Sequence, residues 1–205
     1  MALITISKEY ACDTEAFVGA LADKLGYPVL DKKLISDATK RLADEPPEMG
    51  GQQEKDQAAM LGLVNKYTAT IIEQLVDRSY RLLDERAYHD VTKALILQAA
   101  QERNMIIVGW GAQCILQDHH LGIHLRVVKK LEDRIAWLKG RTGLDEKSTK
   151  DLIDREEQQS AAYIRRYFGH DWDDPHLYHL VINLSKLTME QAAWLALDVV
   201  KLRGI

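Results

Sequence analysis

The chain has 205 residues, 46% of them hydrophobic and 28% charged, and a formal net charge of −4. That balance suits one globular domain with a full core, and the mixing of acidic with basic residues argues against the clustered Lys/Arg face of a large nucleic-acid footprint. Nothing approaches the ~18 consecutive apolar residues of a membrane span. The start "MALITISKEYA" lacks the basic region and long apolar run of a signal peptide. Two widely separated cysteines, Cys12 and Cys114, read as reduced thiols of a soluble, cytoplasmic protein.

Apolar periodicity predicts strands alternating with helices. "LITIS" (3–7) is the first strand, and a helix follows from about Thr14 to Lys24. Gly26 ends it as the C′ residue, and Pro28 prevents its continuation. "YPVLD" is a short second strand ending in Asp31, with the helix "KKLISDATKRLA" after it. The Pro/Gly-rich stretch 44–57 reads as a mobile loop. Residues 57–103 form a helical insertion of two helices, in which Leu63, Tyr67, Ile71, Leu75 and Ser79 recur four apart. "MIIVG" (105–109) and "IHLRVV" (123–128) are further strands, and "LEDRIAWLKGRTG" is a helix. The charged segment "STKDLIDREEQQSAAYIRRYFG" is a long helix. "HLVINLS" (179–185) is the last strand, and the closing helix starts at a capping box formed by Thr188 and Gln191.

Strands joined through helices pair in parallel by right-handed crossovers. The expected fold is therefore α/β, a three-layer arrangement with a five-stranded parallel sheet between helices. The first, third, fourth and last strands are expected at the centre of the sheet. Ligands of such sheets bind outside the carboxyl ends of the strands. "SKEYACDT", Asp31, "GWGAQC" and the loop after Val128 share that rim.

Several stretches carry a resemblance: "ITISKEY", "LADKLGYPVLDKKLISDATKRL", "IIVGWGAQCILQDH", "LEDRIAWLKGRTGL" and "AAYIRRYFGHDWDDPHLYHLVINLSKLTMEQA". Nearly end to end, the chain resembles the cytidylate-kinase-like proteins, a branch of the P-loop nucleoside monophosphate kinases. The resemblance implies a single domain over 1–205, with a lid-like region at about 141–170. It implies transfer of the γ-phosphoryl of ATP, with Mg²⁺, to a nucleoside monophosphate such as CMP. The phosphate loop would comprise Ser7, Lys8, Ala11, Cys12, Asp13 and Thr14. Asp31, Lys32 and Trp110 would face the acceptor nucleotide. Arg141, Arg155 and Arg165, with Arg166 beside them, would stabilise the transferring phosphoryl group.

This sequence departs from the family pattern where phosphate is handled. The pattern after the first strand resembles Ser-Arg-Glu-Tyr-Gly-Ser-Gly-Gly-Arg. Ala11, Asp13 and Thr14 stand at its glycines, and Glu15 at its second basic residue. Glycine reaches positive φ cheaply and lets backbone approach phosphate. The expectation is a loop with few inward N–H groups, whose acids each repel a triphosphate by about 4 kcal/mol at ~4 Å and an effective dielectric near 20. The bland alternative is that Asp13 or Thr14 merely caps the first helix. Trp110 stands where the pattern has Arg between two glycines, so it either stacks on a base or packs at the rim. Ser160 replaces the Arg before "AAY". Asp31 either receives the acceptor or caps the next helix. The acidic turn Asp171, Asp173 and Asp174 lacks metal-type His or Cys spacing, so no dedicated metal site is expected.

Two functions follow. One is an active nucleotide kinase; the other is a catalytically inactive regulatory or assembly module that keeps the kinase fold. The surplus of apolar and aromatic positions in "YTATIIEQLVDRSYRLL" predicts a homodimer through 57–103.

Overall fold

The computed structural model describes residues 1–31, 85–102 and 104–204. The second predicted helix, Lys32 and most of the 57–103 insertion lie outside the described residues. The elements are β1 (Leu3–Lys8), α1 (Glu15–Leu25), β2 (Val29–Leu30), α2 (Glu85–Glu102), β3 (Met105–Val108), α3 (Ala112–Ile115) and β4 (Gly122–Val128). They continue with α4 (Leu131–Thr142), α5 (Glu146–Phe168), a 3₁₀ turn (Pro175–Leu177), β5 (Leu180–Asn183) and α6 (Met189–Leu202).

The strands form one five-stranded parallel sheet in the order β2-β3-β1-β4-β5. The expectation of a central last strand is corrected: β5 pairs only with β4 and lies at an edge. Its exposed Val181 fits that place, since a central strand would have both faces covered.

The two faces of the sheet differ. One is apolar throughout: Ile4, Ile6, Ile106, Ile123, Leu125, Val127 and Ile182 pack against Phe17, Val18 and Leu21 of α1 and Ala192, Ala196 and Val200 of α6. Phe17 and Leu21 are fully buried, each stabilising the fold by about 2 kcal/mol. Gly26, at φ 65, ends α1 as expected. Thr188 and Gln191 make both bonds of the capping box that starts α6.

On the opposite face Leu3, Met105 and Ile107 meet Ile96, Ala99 and Ala100 of α2. Alternation along β1 and β4 also turns Thr5, Ser7, His124 and Arg126 to this side, all four buried. Thr5 Oγ1 lies 2.8 Å from His124 Nδ1. The His124 backbone N–H donates to His179 Nδ1 at 3.0 Å. His124 Nε2 is sealed from solvent with no partner among the described residues. Burial, reinforced by the neighbouring His179, pushes the His124 imidazole down to about 4.

The β3–α3 turn takes three successive residues at positive φ: Gly109 at 91°, Trp110 at 55° and Gly111 at 67°. A Cβ at position 111 would stand 2.7 Å from Phe168 Cε2 and 2.9 Å from Ile164 Cδ1. Only glycine lets the end of α5 approach here.

His124 gives the fold a pH dependence of definite sign. The folded imidazole stays neutral until about pH 4, whereas the unfolded one takes a proton near its ordinary value of about 6.5. The unfolded chain binds more protons between those values, so stability present above about pH 6.5 is lost progressively as pH falls toward 4, by up to about 3 kcal/mol. Urea midpoints measured across this window should fall with pH in the wild type, and fall less in His124→Gln.

Candidate active site at the carboxyl edge of the sheet

The carboxyl end of β1 is the centre of the rim. After Lys8, Glu9 N–H still pairs with Val127 C=O at 3.0 Å, and the chain then turns into α1. Within that turn Ala11 has φ 62 and Asp13 φ 50. Cys12 between them is not at positive φ, and Thr14 has φ −90. The sign of φ therefore alternates over four residues, the geometry of an anion-binding nest. A loop without glycine was expected to lose this shape. The backbone keeps it, and two non-glycine residues bear the left-handed conformation at a cost of about 1–2 kcal/mol each.

Seven consecutive backbone N–H groups, Ala11 through Phe17, have no acceptor among the described residues. Val18 N–H is the first to bond, to Thr14 C=O at 2.9 Å. Thr14 occupies the N-cap position of α1, but its side chain makes no cap bond. Four donors are orphaned at any helix start; here the preceding nest extends the row. Cys12 is fully buried beneath it, and desolvation pushes its thiol up to about 12, so it is a packing residue and not a thiolate nucleophile. Cys114 is also a free, buried thiol, raised to about 11.

An ion pair between buried Arg134 and half-buried Glu157 holds the turn. Arg134 Nη1 donates to Tyr10 C=O at 3.0 Å and to Glu157 Oε1 at 2.6 Å. Its Nε donates to Lys129 C=O at 2.9 Å. Glu157 Oε1 also accepts the Tyr10 N–H at 3.2 Å. Tyr10 is thus fastened at both ends, to α4 through Arg134 and to α5 through Glu157. Glu9 accepts the Lys129 N–H at 2.8 Å and stands 3.6 Å from Arg134 Nε. Ala11 packs against Leu138 and Ile153, which draws the two helices onto the loop.

On the other side of β1, Ser7 Oγ joins a second buried network. It accepts from Arg126 Nη1 at 3.0 Å and from Trp172 Nε1 at 2.9 Å. Tyr178 gives its proton to Trp172 C=O at 2.7 Å, which leaves Ser7 to donate across 3.4 Å to the Tyr178 oxygen. Arg126 lies 3.8 Å above the Trp172 ring, and its Nη2 reaches Asp173 Oδ1 at 2.7 Å.

The residues singled out in the sequence are scattered by comparison. Ser7, Lys8, Ala11, Cys12, Asp13 and Thr14 do form the turn. Arg141 is exposed in the last turn of α4, 4.9 Å over the Trp137 ring. Arg155 is exposed on α5, 3.6 Å from Glu156, and both act electrostatically on the Tyr10 hydroxyl, which places Arg155 near the turn. Arg165 is exposed ten residues further along the same helix, about 15 Å away at 1.5 Å per residue. Ser160 is exposed and bonds back to Glu156 C=O. Trp110 is buried in the core with Leu3, Leu30 and Ile96. Asp31 is half-buried just past β2, and Lys32 lies outside the described residues. Residues 141–170, expected as a lid-like region, comprise the end of α4, the link Gly143–Leu144–Asp145 with Asp145 as N-cap, and α5.

Sequence reading missed Arg126 and Arg134. For Arg126 a signal existed: in "IHLRVV" His124 and Arg126 alternate with apolar neighbours, so both must share one face of a buried strand. The described residues contain no group of three His, Cys, Asp or Glu side chains able to hold a metal ion. Asp171 and Asp174 are engaged with backbone N–H groups of their own turn.

A sequence model of the cytidylate kinase-like family matches residues 3–186. Among solved structures, an uncharacterized protein from Eubacterium ventriosum ATCC 27560 is similar with a TM-score of 0.69 at 17% identity, covering 98% of this chain and 99% of its own. Shikimate kinase from Bacteroides thetaiotaomicron is similar with a TM-score of 0.55 at 13% identity, covering 98% of each chain. No curated protein matches the sequence.

The fastening of Tyr10 predicts a stability loss on Glu157→Gln. Charge-assisted bonds to both Arg134 and the backbone weaken together, so denaturant unfolding should show a loss of about 2 kcal/mol. Glu156→Gln, one position away on α5, should change stability by less than about 0.5 kcal/mol.

Proposed function

The chain belongs to the cytidylate kinase-like family, and from that premise we propose that it is a nucleotide kinase-like protein of the cytoplasm that seats nucleotide phosphates on the turn after β1. The reaction it would carry is transfer of the ATP γ-phosphoryl group to a nucleoside monophosphate such as CMP. The row of unused N–H donors from Ala11 to Phe17, shaped by the alternating φ of Ala11–Thr14, carries this reading. Donors so arranged favour a polyanion, and the N-terminal dipole of α1 adds to them. That cradle fits the phosphates of ATP. Mg²⁺ would arrive with the nucleotide and neutralise part of its charge. Among the described residues, Lys8 at the end of β1 and the exposed Arg155 are cations near the turn, and Arg141 and Arg165 would meet charge only from the ends of α4 and α5. Asp31, Lys32 and Trp110 belong to the proposed acceptor side.

A second reading is favoured by Asp13 and Glu15. Both acids belong to the donor row itself, and Arg134, the buried cation at the turn, is already committed to Glu157. On that reading the chain is a catalytically inactive regulatory or assembly module. In either case the homodimer through 57–103 is part of the proposal.

Calorimetric titration with Mg·ATP at one fixed salt concentration separates them. Wild-type binding is expected at or above a Kd of ~1 mM, and Asp13→Asn with Glu15→Gln should tighten it about tenfold, or ~1.4 kcal/mol. The backbone is already shaped, so removing charge alone should suffice. Nucleoside diphosphate formation from CMP, followed by a coupled assay, should rise with it. Binding absent from both proteins would sink the kinase reading in favour of the module.

A further inference from the structure

We propose that Arg126 is an anion seat whose resident carboxylate, Asp173, gives way to the phosphate monoester of an acceptor nucleotide; the choice of that acceptor rests on the kinase-like reading above. The two partners of this ion pair differ sharply in burial. The Arg126 side chain is 3% exposed, while that of Asp173 is 76% exposed. An exposed carboxylate that reaches a buried guanidinium at 2.7 Å places the cation one side chain below the surface.

Arg126 does not depend on Asp173 for its position. Ser7 Oγ fixes one end of the guanidinium, and the Trp172 and Tyr178 rings lie 3.8 and 5.9 Å from its centre. A guanidinium carries five N–H donors in a planar fork, and Asp173 engages it through a single oxygen. A phosphate presents three oxygens and can take the fork in bidentate fashion, the stronger arrangement. Exchange would therefore replace one charge-assisted bond with two.

The location suits a phosphoryl acceptor. Ser7, to which Arg126 is bonded, directly precedes Lys8 and the turn whose N–H groups await the donor phosphates. Both seats lie on the carboxyl edge of adjacent strands, β1 and β4, in register Ser7 with Arg126. Among the described residues, Asp173 is held otherwise through its backbone N–H, which bonds to Asp171 Oδ1 at 3.1 Å, so its side chain can leave without unmaking the turn.

The test is a calorimetric titration of the full chain with inorganic phosphate, CMP and cytidine, in the absence of ATP and at one salt concentration. Asp173→Asn removes the resident charge from an exposed position. It should bind phosphate and CMP about tenfold more tightly than wild type, because a tethered competitor of millimolar effective concentration is gone. Cytidine, which lacks the phosphate, should show no gain. Phosphate should also raise the thermal midpoint of Asp173→Asn more than that of the wild type, since the anion replaces the lost partner of a buried cation. Trp172 fluorescence should report the titration, and the signal should vanish in Trp172→Phe. Unchanged or weaker phosphate binding by Asp173→Asn overturns the proposal, as does a gain that persists when Arg126→Gln is added. Should that double variant not fold, the Asp173→Asn titration decides alone. A phosphate gain without any Mg·ATP binding would keep this seat and reject the kinase reading; Mg·ATP binding without the gain would do the reverse.

Discussion

The peptide at Tyr10 is the fixed point of this molecule. Arg134 takes its carbonyl and Glu157 takes its N–H, and the two side chains hold each other at 2.6 Å. Burying an ion pair gains little by itself, because desolvation offsets the attraction. Its effect here is positional: α4, α5 and the turn after β1 cannot move independently. Backbone strain persists only where its surroundings over-determine it. The left-handed φ of Ala11 and Asp13 is such a case, with Tyr10 fastened before it and α1 docked by Phe17 after it.

A parallel sheet covered on both sides ordinarily presents apolar residues to both. This one departs from that rule on the face toward α2 and α3. Thr5, Ser7, His124 and Arg126 sit in the two central strands and pair across them, Thr5 with His124 and Ser7 with Arg126. Trp172, Asp173 and Tyr178 come from the segment before β5 to satisfy Ser7 and Arg126. That segment is thereby tied to the end of β1, although no strand pairing joins β5 to β1.

Most elements were legible because their signals are local. The period of apolar residues located the described strands and most of the described helices, though the short α3 was not foreseen and α2 begins at Glu85, ahead of the expected "VTKALILQAAQERN"; Gly26, Thr188 and Gln191 did what their chemistry requires at helix ends. The order of strands was less legible: "HLVINLS" is as apolar as a central strand, and only the exposure of Val181 marks the edge. Trp110 gave no local sign of burial, since its neighbours Ile96 and Leu30 are distant in sequence. The turn was misread for a different reason. Absence of glycine predicts absence of positive φ, yet Ala11 and Asp13 adopt it, beside a Tyr10 that Arg134 and Glu157 fasten from more than a hundred positions away. No pattern within "SKEYACDTEAF" could disclose a conformation imposed from outside it.

Shape and charge have thus separated at this rim. A phosphate loop ordinarily supplies both from one stretch of chain, through backbone donors and an adjacent cation. Here the donors of 11–17 remain, while the side chains among them are acidic. The exposed Arg155 of α5 is a cation near that turn, whereas Arg126 of β4 belongs to the separate network on the other side of β1. Coulomb attraction falls only inversely with distance, so a cation on a neighbouring element can offset part of the repulsion from Asp13 and Glu15. It cannot replace the directional bonds of a lysine seated in the loop itself. On the proposed function, such a site would recognise phosphate through geometry first, with the acids limiting its affinity.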